Sequence, residues 1–169
     1  PVLAVVAHAQ TFSDGAHTSI PAPGLGALAV ARGGRDSVIA RNLAELGVGI
    51  DDVAFVSKHD TSTNANDPNE SDLHTRVGMA LGRTPGNPLL VISQKTLTGH
   101  AKGGACVFQV GGIIDVFRTG LIPANVALDC VDDAMEKYSP LVWLRSPLHL
   151  SSRGPVRAAF ATSLGFGHV

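Results

Sequence analysis

Short apolar runs alternate with stretches of helical pattern along the chain, and this alternation constrains the fold more than any other feature. Continuous apolar or Val-rich runs of this length predict buried strands. They lie at residues 2–7, 53–57, 88–93, 142–144, 148–150 and 156–163. Strands that alternate with helices are typical of an α/β domain with a largely parallel or mixed central sheet. We therefore expect one α/β domain over residues 1–169, with residues 2–7 as a buried strand of an excised or processed piece.

Three segments between these runs carry a helical pattern, at about residues 25–46, 67–81 and 101–119. Gly33 and Gly34 are expected to divide the first segment into two pieces. At the start of the second, the order Asp67-Pro68-Asn69-Glu70 predicts a capping box, with Asp67 as the cap and Glu70 completing it. The third segment contains glycines at 103, 104, 111 and 112, which predict close packing against another backbone.

Charge and cysteine content exclude several classes of function. The formal net charge is −1 and the basic residues are scattered, so neither nucleic acid nor an anionic membrane is an expected partner. The two cysteines, Cys106 and Cys130, have no C-x-x-C spacing, which favours a reducing, cytoplasmic compartment. The seven histidines lack the spacing of a metal site, so no metal is expected. A Gly24-x-Gly26-x-x-Ala29 pattern follows a polar loop instead of a strand end, which disfavours a dinucleotide site.

Polar side chains follow two of the predicted strands at their carboxyl ends, where ligands gather in open α/β sheets. Residues 59–67 form the densest polar cluster of the chain, and Lys95 and His100 bracket the loop after the next strand. A helix starting behind His100 would keep its imidazole neutral and able to donate to a developing negative charge. The alternatives are a solvated loop at 59–67, a solvated Lys95 and a structural His100.

Three motifs in this order resemble the β-ketoacyl synthase family. Its first histidine motif is similar to His59-x-Thr61-x-Thr63-x-x-Asn66-Asp67-x-x-Glu70. Its lysine and second histidine motif is similar to Lys95-Thr96-Leu97-Thr98-Gly99-His100, and its gating loop to Gly165-Phe166-Gly167. The wording of residues 61–67 is closest to the synthase segment of type I fatty acid synthases of the fungal and mycobacterial kind.

The resemblance implies a thiolase-like fold in which two similar halves pack together and each contributes part of the active site. This chain resembles the C-terminal half, with a mixed central sheet flanked by helices. The nucleophilic cysteine of the family lies in the N-terminal half, and no residue here matches its motif. Cys106 is instead expected to be a small, inert core residue.

The activity that the resemblance implies is decarboxylative Claisen condensation of a malonyl thioester with an acyl-enzyme in fatty acid synthesis. His59 and His100 would stabilise the negative charge on the thioester oxygen, and Lys95 would order the site. Thr61 and Thr63 would bind the phosphopantetheine arm of an acyl carrier protein, with Phe166 as the gate. Supporting roles fall to Asp67, Glu70, Gly165 and Gly167, with Glu70 as a candidate partner of Lys95.

The implied partners are the N-terminal half, the acyl carrier protein, the acyl and malonyl thioesters and further copies of the full enzyme. No cofactor is expected to bind the chain directly. Asp60 stands where many family members have glycine, and its carboxylate is expected to favour a charged His59. His168 likewise stands where a second glycine is common. The alternative function is a non-catalytic structural or interaction portion that only completes a partner half.

Overall fold

Two sheets organise the chain, whose computed structural model describes residues 1–13, 26–150 and 154–165. Within these ranges the strands are, in chain order, β1 (Val53–Ser57), β2 (Leu89–Ile92), β3 (Leu121–Ile122), β4 (Leu141–Trp143), β5 (Leu148–His149) and β6 (Ala158–Ala161). The main sheet has the order β4-β2-β1-β6, and all its pairings are parallel. The only antiparallel pairing in the described ranges is that of β3 with β5, which form the second sheet.

The described residues form four α-helices, of which the first precedes β1: α1 (Val38–Glu45), α2 (Asn66–Leu81), α3 (Lys95–Thr98) and α4 (Ala105–Thr119). Ser37 caps α1, since its hydroxyl accepts a hydrogen bond from the backbone nitrogen of Ala40 at 3.3 Å. The expected break at Gly33 and Gly34 is confirmed, because only 3₁₀ turns precede α1 there. Gly82, with φ of 83°, ends α2 in the left-handed conformation that glycine favours.

The helices cover both faces of the main sheet. Residues of α4 and the second sheet pack on one face, where Val116 and Ile122 meet Phe55. On the other face α1 and α2 share a second cluster, with Leu43 and Leu73 among its members. All four residues of β2 are buried because this strand has neighbours on both sides and apolar layers on both faces. The central strands therefore match the apolar runs read from the sequence.

The predicted buried strand at residues 2–7 is wrong for the described structure. No described strand pairs with this segment, and Val2 and Val6 are 81% and 77% exposed. Only its end is held, where the Ala7 carbonyl accepts a hydrogen bond from Asn42 Nδ2 at 3.1 Å. An apolar run becomes a buried strand only beside a partner that satisfies its backbone, and none of the described strands is in that position.

One face of α4 contradicts the expected close packing of its glycines. A Cβ added at Gly111, or at Gly103 in the 3₁₀ turn before this helix, would meet nothing within 4 Å, whereas one at Gly112 would clash with Gln94 Oε1. Cys106, expected in the core, is exposed on this helix. We call the residues Val107, Phe108, Val110 and Gly111 the outer face of α4; Val107 is 74% exposed. None of the described helices is long and apolar enough to span a bilayer.

Candidate functional site

His59, Lys95 and His100 meet at the carboxyl edge of the main sheet. Because β1 and β2 are parallel neighbours, the loops that leave them emerge side by side. The centroids of the His59 and His100 rings are 5.1 Å apart, with the ring planes at 82°. Lys95 Nζ lies 3.2 Å from His59 Nδ1 and also donates to the backbone oxygen of His59. The structure thus brings together the three side chains that the motifs pointed to.

Burial keeps His59 neutral. Its side chain is 6% exposed, and burial followed by the charge of Lys95 lowers the pKa of His59 from 6.5 to about 4. The carboxylates of Glu70 and Asp60 act in the opposite direction but are outweighed. Asp60 therefore favours the charged form of His59, as the sequence led us to expect, but desolvation of the ring dominates and keeps the imidazole neutral.

The contacts of the two Nδ1 atoms fix where each neutral ring carries its proton. An ammonium group can only donate, so His59 Nδ1 accepts from Lys95 and its proton sits on Nε2. His100 Nδ1 accepts from the backbone nitrogen of Lys102 at 3.0 Å, which places the proton of the neutral ring on Nε2 as well. Both neutral imidazoles therefore offer an Nε2–H group.

His100 does not stand directly before a helix, contrary to the sequence-based expectation. A 3₁₀ turn at Lys102–Gly104 intervenes, and α4 begins only at Ala105. Lys102 has φ of 50°, in the left-handed region, and this local bend turns its backbone N–H toward the imidazole. One backbone N–H, and not the end of a long helix, thus orients this ring.

Glu70 holds the loop after β1 in place of forming a capping box. Its fully buried carboxylate accepts hydrogen bonds from the backbone nitrogens of His59 and Asp60, at 2.6 and 2.9 Å. The residue before α2 is Ala65, which has no side-chain cap, while Thr63 Oγ1 accepts from the Asn66 nitrogen. The predicted capping box is wrong because Glu70 finds backbone donors on a neighbouring loop that are farther from water.

Hydrogen bonding also decides the ionisation of Glu70. Burial alone would raise the pKa of Glu70, but the nearby His74, whose Nε2 lies 3.9 Å from Glu70 Oε1, and the charge of Lys58 outweigh it and hold that pKa well below its usual range. Thr162 Oγ1 donates to Glu70 Oε1, and His74 Nε2 lies 3.1 Å from the same hydroxyl. The expected pairing with Lys95 is not a direct contact, although the charge of Glu70 raises the pKa of Lys95 against the lowering effect of burial.

Sequence reasoning missed Gln109, a residue of α4 that is 1% exposed. Its Nε2 lies 2.8, 3.0 and 2.9 Å from the carbonyl oxygens of Ser57, Lys58 and Thr162, which share its two N–H groups. These carbonyls lie at and just beyond the ends of β1 and β6, so one amide ties α4 to both strands. A lone polar residue in an apolar helix was the available signal, since buried amides need partners.

Sequence reasoning also missed Lys58, which is 1% exposed although it neighbours a polar loop. Its Nζ donates to Asp60 Oδ1 and to Ser71 Oγ, both at 3.2 Å, and lies 5.6 Å from the centroid of the Trp143 ring. The alternation of a strand offered a signal, because a lysine directly after five strand residues continues one face of the sheet.

The remaining candidate residues surround this centre. Thr61 Oγ1 and Thr63 Oγ1 lie 3.3 Å apart on the exposed side of the loop. The pKa of Asp67 is raised to about 6, first by burial and then by the nearby Asp60 carboxylate, and its Oδ1 has no partner. Gly165 is exposed, while Phe166, Gly167 and His168 lie outside the described residues. In the described ranges no three His, Cys, Asp or Glu side chains are placed to hold a metal ion.

Comparison with known proteins relates the chain to one family and to fatty acid synthase subunits. The family described as "Beta-ketoacyl synthase, C-terminal domain" matches residues 3–129. The fatty acid synthase alpha subunit stcJ of Emericella nidulans is 39% identical over 169 residues, covering 99% of this chain and 11% of that subunit. The fatty acid synthase subunit alpha of Saccharomyces cerevisiae is 40% identical over 125 residues, covering 74% of this chain and 6% of that subunit. The chain thus spans a small fraction of either relative.

Solved structures agree on the fold. The noncanonical ketosynthase FabY from P. aeruginosa superposes with a TM-score of 0.73 at 27% identity, covering 93% of this chain and 23% of that one. The oxazolomycin ketosynthase domain OzmH KS7 gives a TM-score of 0.64 at 20% identity, covering 83% of this chain and 23% of that one, a likeness of fold alone. The expected α/β, thiolase-like fold is confirmed. With its motifs, its fold and a family match over residues 3–129, the chain belongs to the β-ketoacyl synthase family and corresponds to the C-terminal domain of that family.

Proposed function

We propose that this chain supplies the two-histidine half of a β-ketoacyl synthase active site in fatty acid synthesis. The observation that carries the proposal is the pair of imidazoles, His59 and His100, whose ring centroids are 5.1 Å apart. Each has its Nδ1 occupied as an acceptor, which leaves both Nε2–H groups available to one ligand oxygen. Two donors directed at one oxygen are what an enolate formed by decarboxylation requires.

The reaction proceeds in three steps. An acyl group first passes from its carrier thioester to a cysteine thiolate of the partner half. The bond from the malonyl α-carbon to its carboxylate then breaks, carbon dioxide leaves, and the electron pair delocalises onto the thioester oxygen. His59 and His100 stabilise that oxygen, each by about 2.7–4 kcal/mol if they resemble other oxyanion donors. Finally the α-carbon attacks the acyl-cysteine carbonyl, and the cysteine thiolate departs.

Lys95 organises the centre without entering the bond changes. It donates to both Nδ1 and the backbone oxygen of His59, which fixes the ring orientation. Its positive charge also lowers the pKa of His59 and so keeps that imidazole uncharged. A neutral ring retains an Nε2–H for the oxyanion without repelling the cationic lysine.

The phosphopantetheine arm of an acyl carrier protein is proposed to reach the site past Thr61 and Thr63. Their hydroxyl oxygens, 3.3 Å apart, lie at the exposed rim of the loop that carries His59. A pantetheine arm has amide and hydroxyl groups along its length, so hydroxyl partners suit it. Gly165, Phe166 and Gly167 are proposed to form the gate at the acyl end of the site.

The nucleophile is proposed to come from an N-terminal half of the synthase, of which residues 1–169 form the C-terminal portion. Neither Cys106 nor Cys130 forms a hydrogen bond with a histidine in the described part of the chain, and both are exposed. The outer face of α4 is an unpartnered apolar surface, with Phe108 49% exposed, and it offers that half a place to pack. Assembly into a homo-oligomeric, cytoplasmic synthase is part of the same proposal.

The test is to replace His59 or His100 by alanine in the intact synthase and to follow the release of carbon dioxide from a malonyl thioester. Loss of one oxyanion donor is expected to lower the rate roughly 100- to 1,000-fold. His149→Ala is the matched control, since His149 is exposed on β5 in the second sheet. Unchanged decarboxylation in both variants would leave only the structural role for this chain, and condensation by residues 1–169 alone would refute the need for a partner half.

A further inference from the structure

A buried lysine lies directly beneath the loop that carries His59. Lys58 is 1% exposed, and its ammonium is enclosed by Asp60 Oδ1, Ser71 Oγ and the face of Trp143. A charge at this depth persists only where partners compensate for lost hydration. The mechanism proposed above gives Lys58 no part, because its contacts all lie on the far side of the loop from the imidazoles.

Alternation of the backbone explains why the two sides differ. Lys58 and His59 directly follow the last residue of β1, where successive side chains point to opposite faces, so His59 takes the side opposite to Lys58. The contacts agree, since Lys58 and Asp60 pair with each other while His59 meets Lys95. The imidazole therefore stands on a loop whose underside is an ion pair.

The backbone of Asp60 makes this ion pair more than a surface contact. Asp60 has φ of 43°, a left-handed conformation that residues other than glycine adopt at a cost. Two contacts hold it there: Glu70 Oε2 accepts from its backbone nitrogen at 2.9 Å, and Lys58 Nζ binds its carboxylate at 3.2 Å. The direction in which His59 leaves the loop depends on the same backbone segment.

Without the lysine, the underside of the loop would carry uncompensated negative charge. The Asp60 carboxylate raises the pKa of the nearby Asp67, and Asp67 Oδ1 is buried without a hydrogen-bond partner. Glu70, on α2, adds a third carboxylate, which accepts from the backbone of the same loop. Lys58 forms an ion pair with Asp60 on this side of the loop. Removing its positive charge would leave the neighbouring carboxylates to repel one another.

We propose that Lys58 and Asp60 act as a pair of positioning residues that sets the loop conformation presenting His59 to the substrate. The inference rests on the proposed function, because it assigns the pair a role in the decarboxylation that His59 supports. Lys58 is needed because Asp60 carries a negative charge and has a backbone conformation that must be held in place. A glycine at position 60 adopts positive φ freely and carries no charge, and so removes that requirement.

The experiment is a double-substitution cycle in the intact synthase. Lys58→Met, Asp60→Gly and the double variant are compared for kcat and KM of malonyl decarboxylation, with Lys137→Met as an exposed-lysine control. Displacement of His59 is expected to lower kcat of Lys58→Met by roughly 10- to 100-fold with a smaller change in KM. The double variant is expected to recover most of that loss, so the two substitutions are strongly non-additive.

The outcomes separate this inference from the proposed function. His59→Ala in the intact synthase tests the proposed function itself. An unchanged rate of malonyl decarboxylation in that variant would refute the role proposed for His59. If His59→Ala is inactive, wild-type kcat in Lys58→Met overturns the pairing. A purely structural lysine would leave the double variant at least as impaired as Lys58→Met. If Lys58→Met does not fold, a folded and active double variant supports the pairing, and an unfolded or inactive double variant overturns it.

Discussion

Replacing Glu70 by glutamine measures how strongly a buried carboxylate holds the loop that carries His59. The carboxylate is fully buried and accepts from two consecutive backbone N–H groups, and a glutamine can present an oxygen to only one of them. Its amide nitrogen would face the second N–H, so one charge-assisted hydrogen bond is lost and two donors oppose each other. The variant keeps the volume of the side chain, so packing changes little.

The magnitude follows from the ionisation of Glu70 in the folded state. Burial opposes ionisation, but the nearby His74 and the charge of Lys58 outweigh it, and the pKa of Glu70 falls from 4.5 to about 2. That difference corresponds to roughly 3 kcal/mol of stability at neutral pH, close to the range of about 3–5 kcal/mol for breaking a buried ionic contact. For a chain of this length, roughly 3 kcal/mol is a fall in Tm of about 6–12 °C.

The pH dependence gives the sharper check. Because the folded-state pKa lies below the unfolded value, the contribution of Glu70 is complete above about pH 4.5 and is lost as pH falls toward about 2. Urea unfolding, followed by the fluorescence of Trp143, the single tryptophan, should show wild type and Glu70→Gln converging over that range. Glu45→Gln, at an exposed position of α1, is the matched control. A stability difference that is absent at pH 7, or that does not shrink with acid, would refute the reasoning.

Two further predictions concern the lysine beside His59 and the exposed side of α4. Lys95→Met removes a cation that lowers the pKa of His59, so the acidic limb of the decarboxylation rate profile should move to higher pH; a limb that stays in place would contradict the assigned electrostatics. Gly111→Ala adds a Cβ that meets nothing within 4 Å and should stabilise residues 1–169 by about 1 kcal/mol in urea unfolding. The same change should weaken assembly with the N-terminal half, and unimpaired assembly would show that this part of α4 stays uncovered there.

Local pattern predicted the central strands and the long helices well. β1 matches the apolar run at 53–57, and α2 was predicted to within a residue, because both bury apolar side chains against neighbours in the same chain. Residues 2–7 and the outer face of α4 were misjudged for the opposite reason. Their apolar side chains have no described neighbour, and sequence pattern alone cannot tell whether a neighbour exists.

The motifs located His59, Lys95 and His100, but not the network beneath them. Glu70 was read as a local cap because its spacing from Asp67 fits one, whereas its donors come from a loop about ten residues away. Lys58 was passed over because a lysine next to polar residues is usually solvated. Contacts between elements decide both cases, and they become visible only once the sheet is assembled.

The side-chain amide of Gln109 makes the two sides of α4 differ in function. On its inner side, a single nitrogen anchors the helix to the ends of β1 and β6, so sliding the helix by a turn would separate that nitrogen from all three carbonyl oxygens at once. Its opposite side bears none of these bonds. Substitutions on the outer face of α4 can therefore change which surface the helix binds, in evolution or in engineering, while the loop that carries His59 keeps its position.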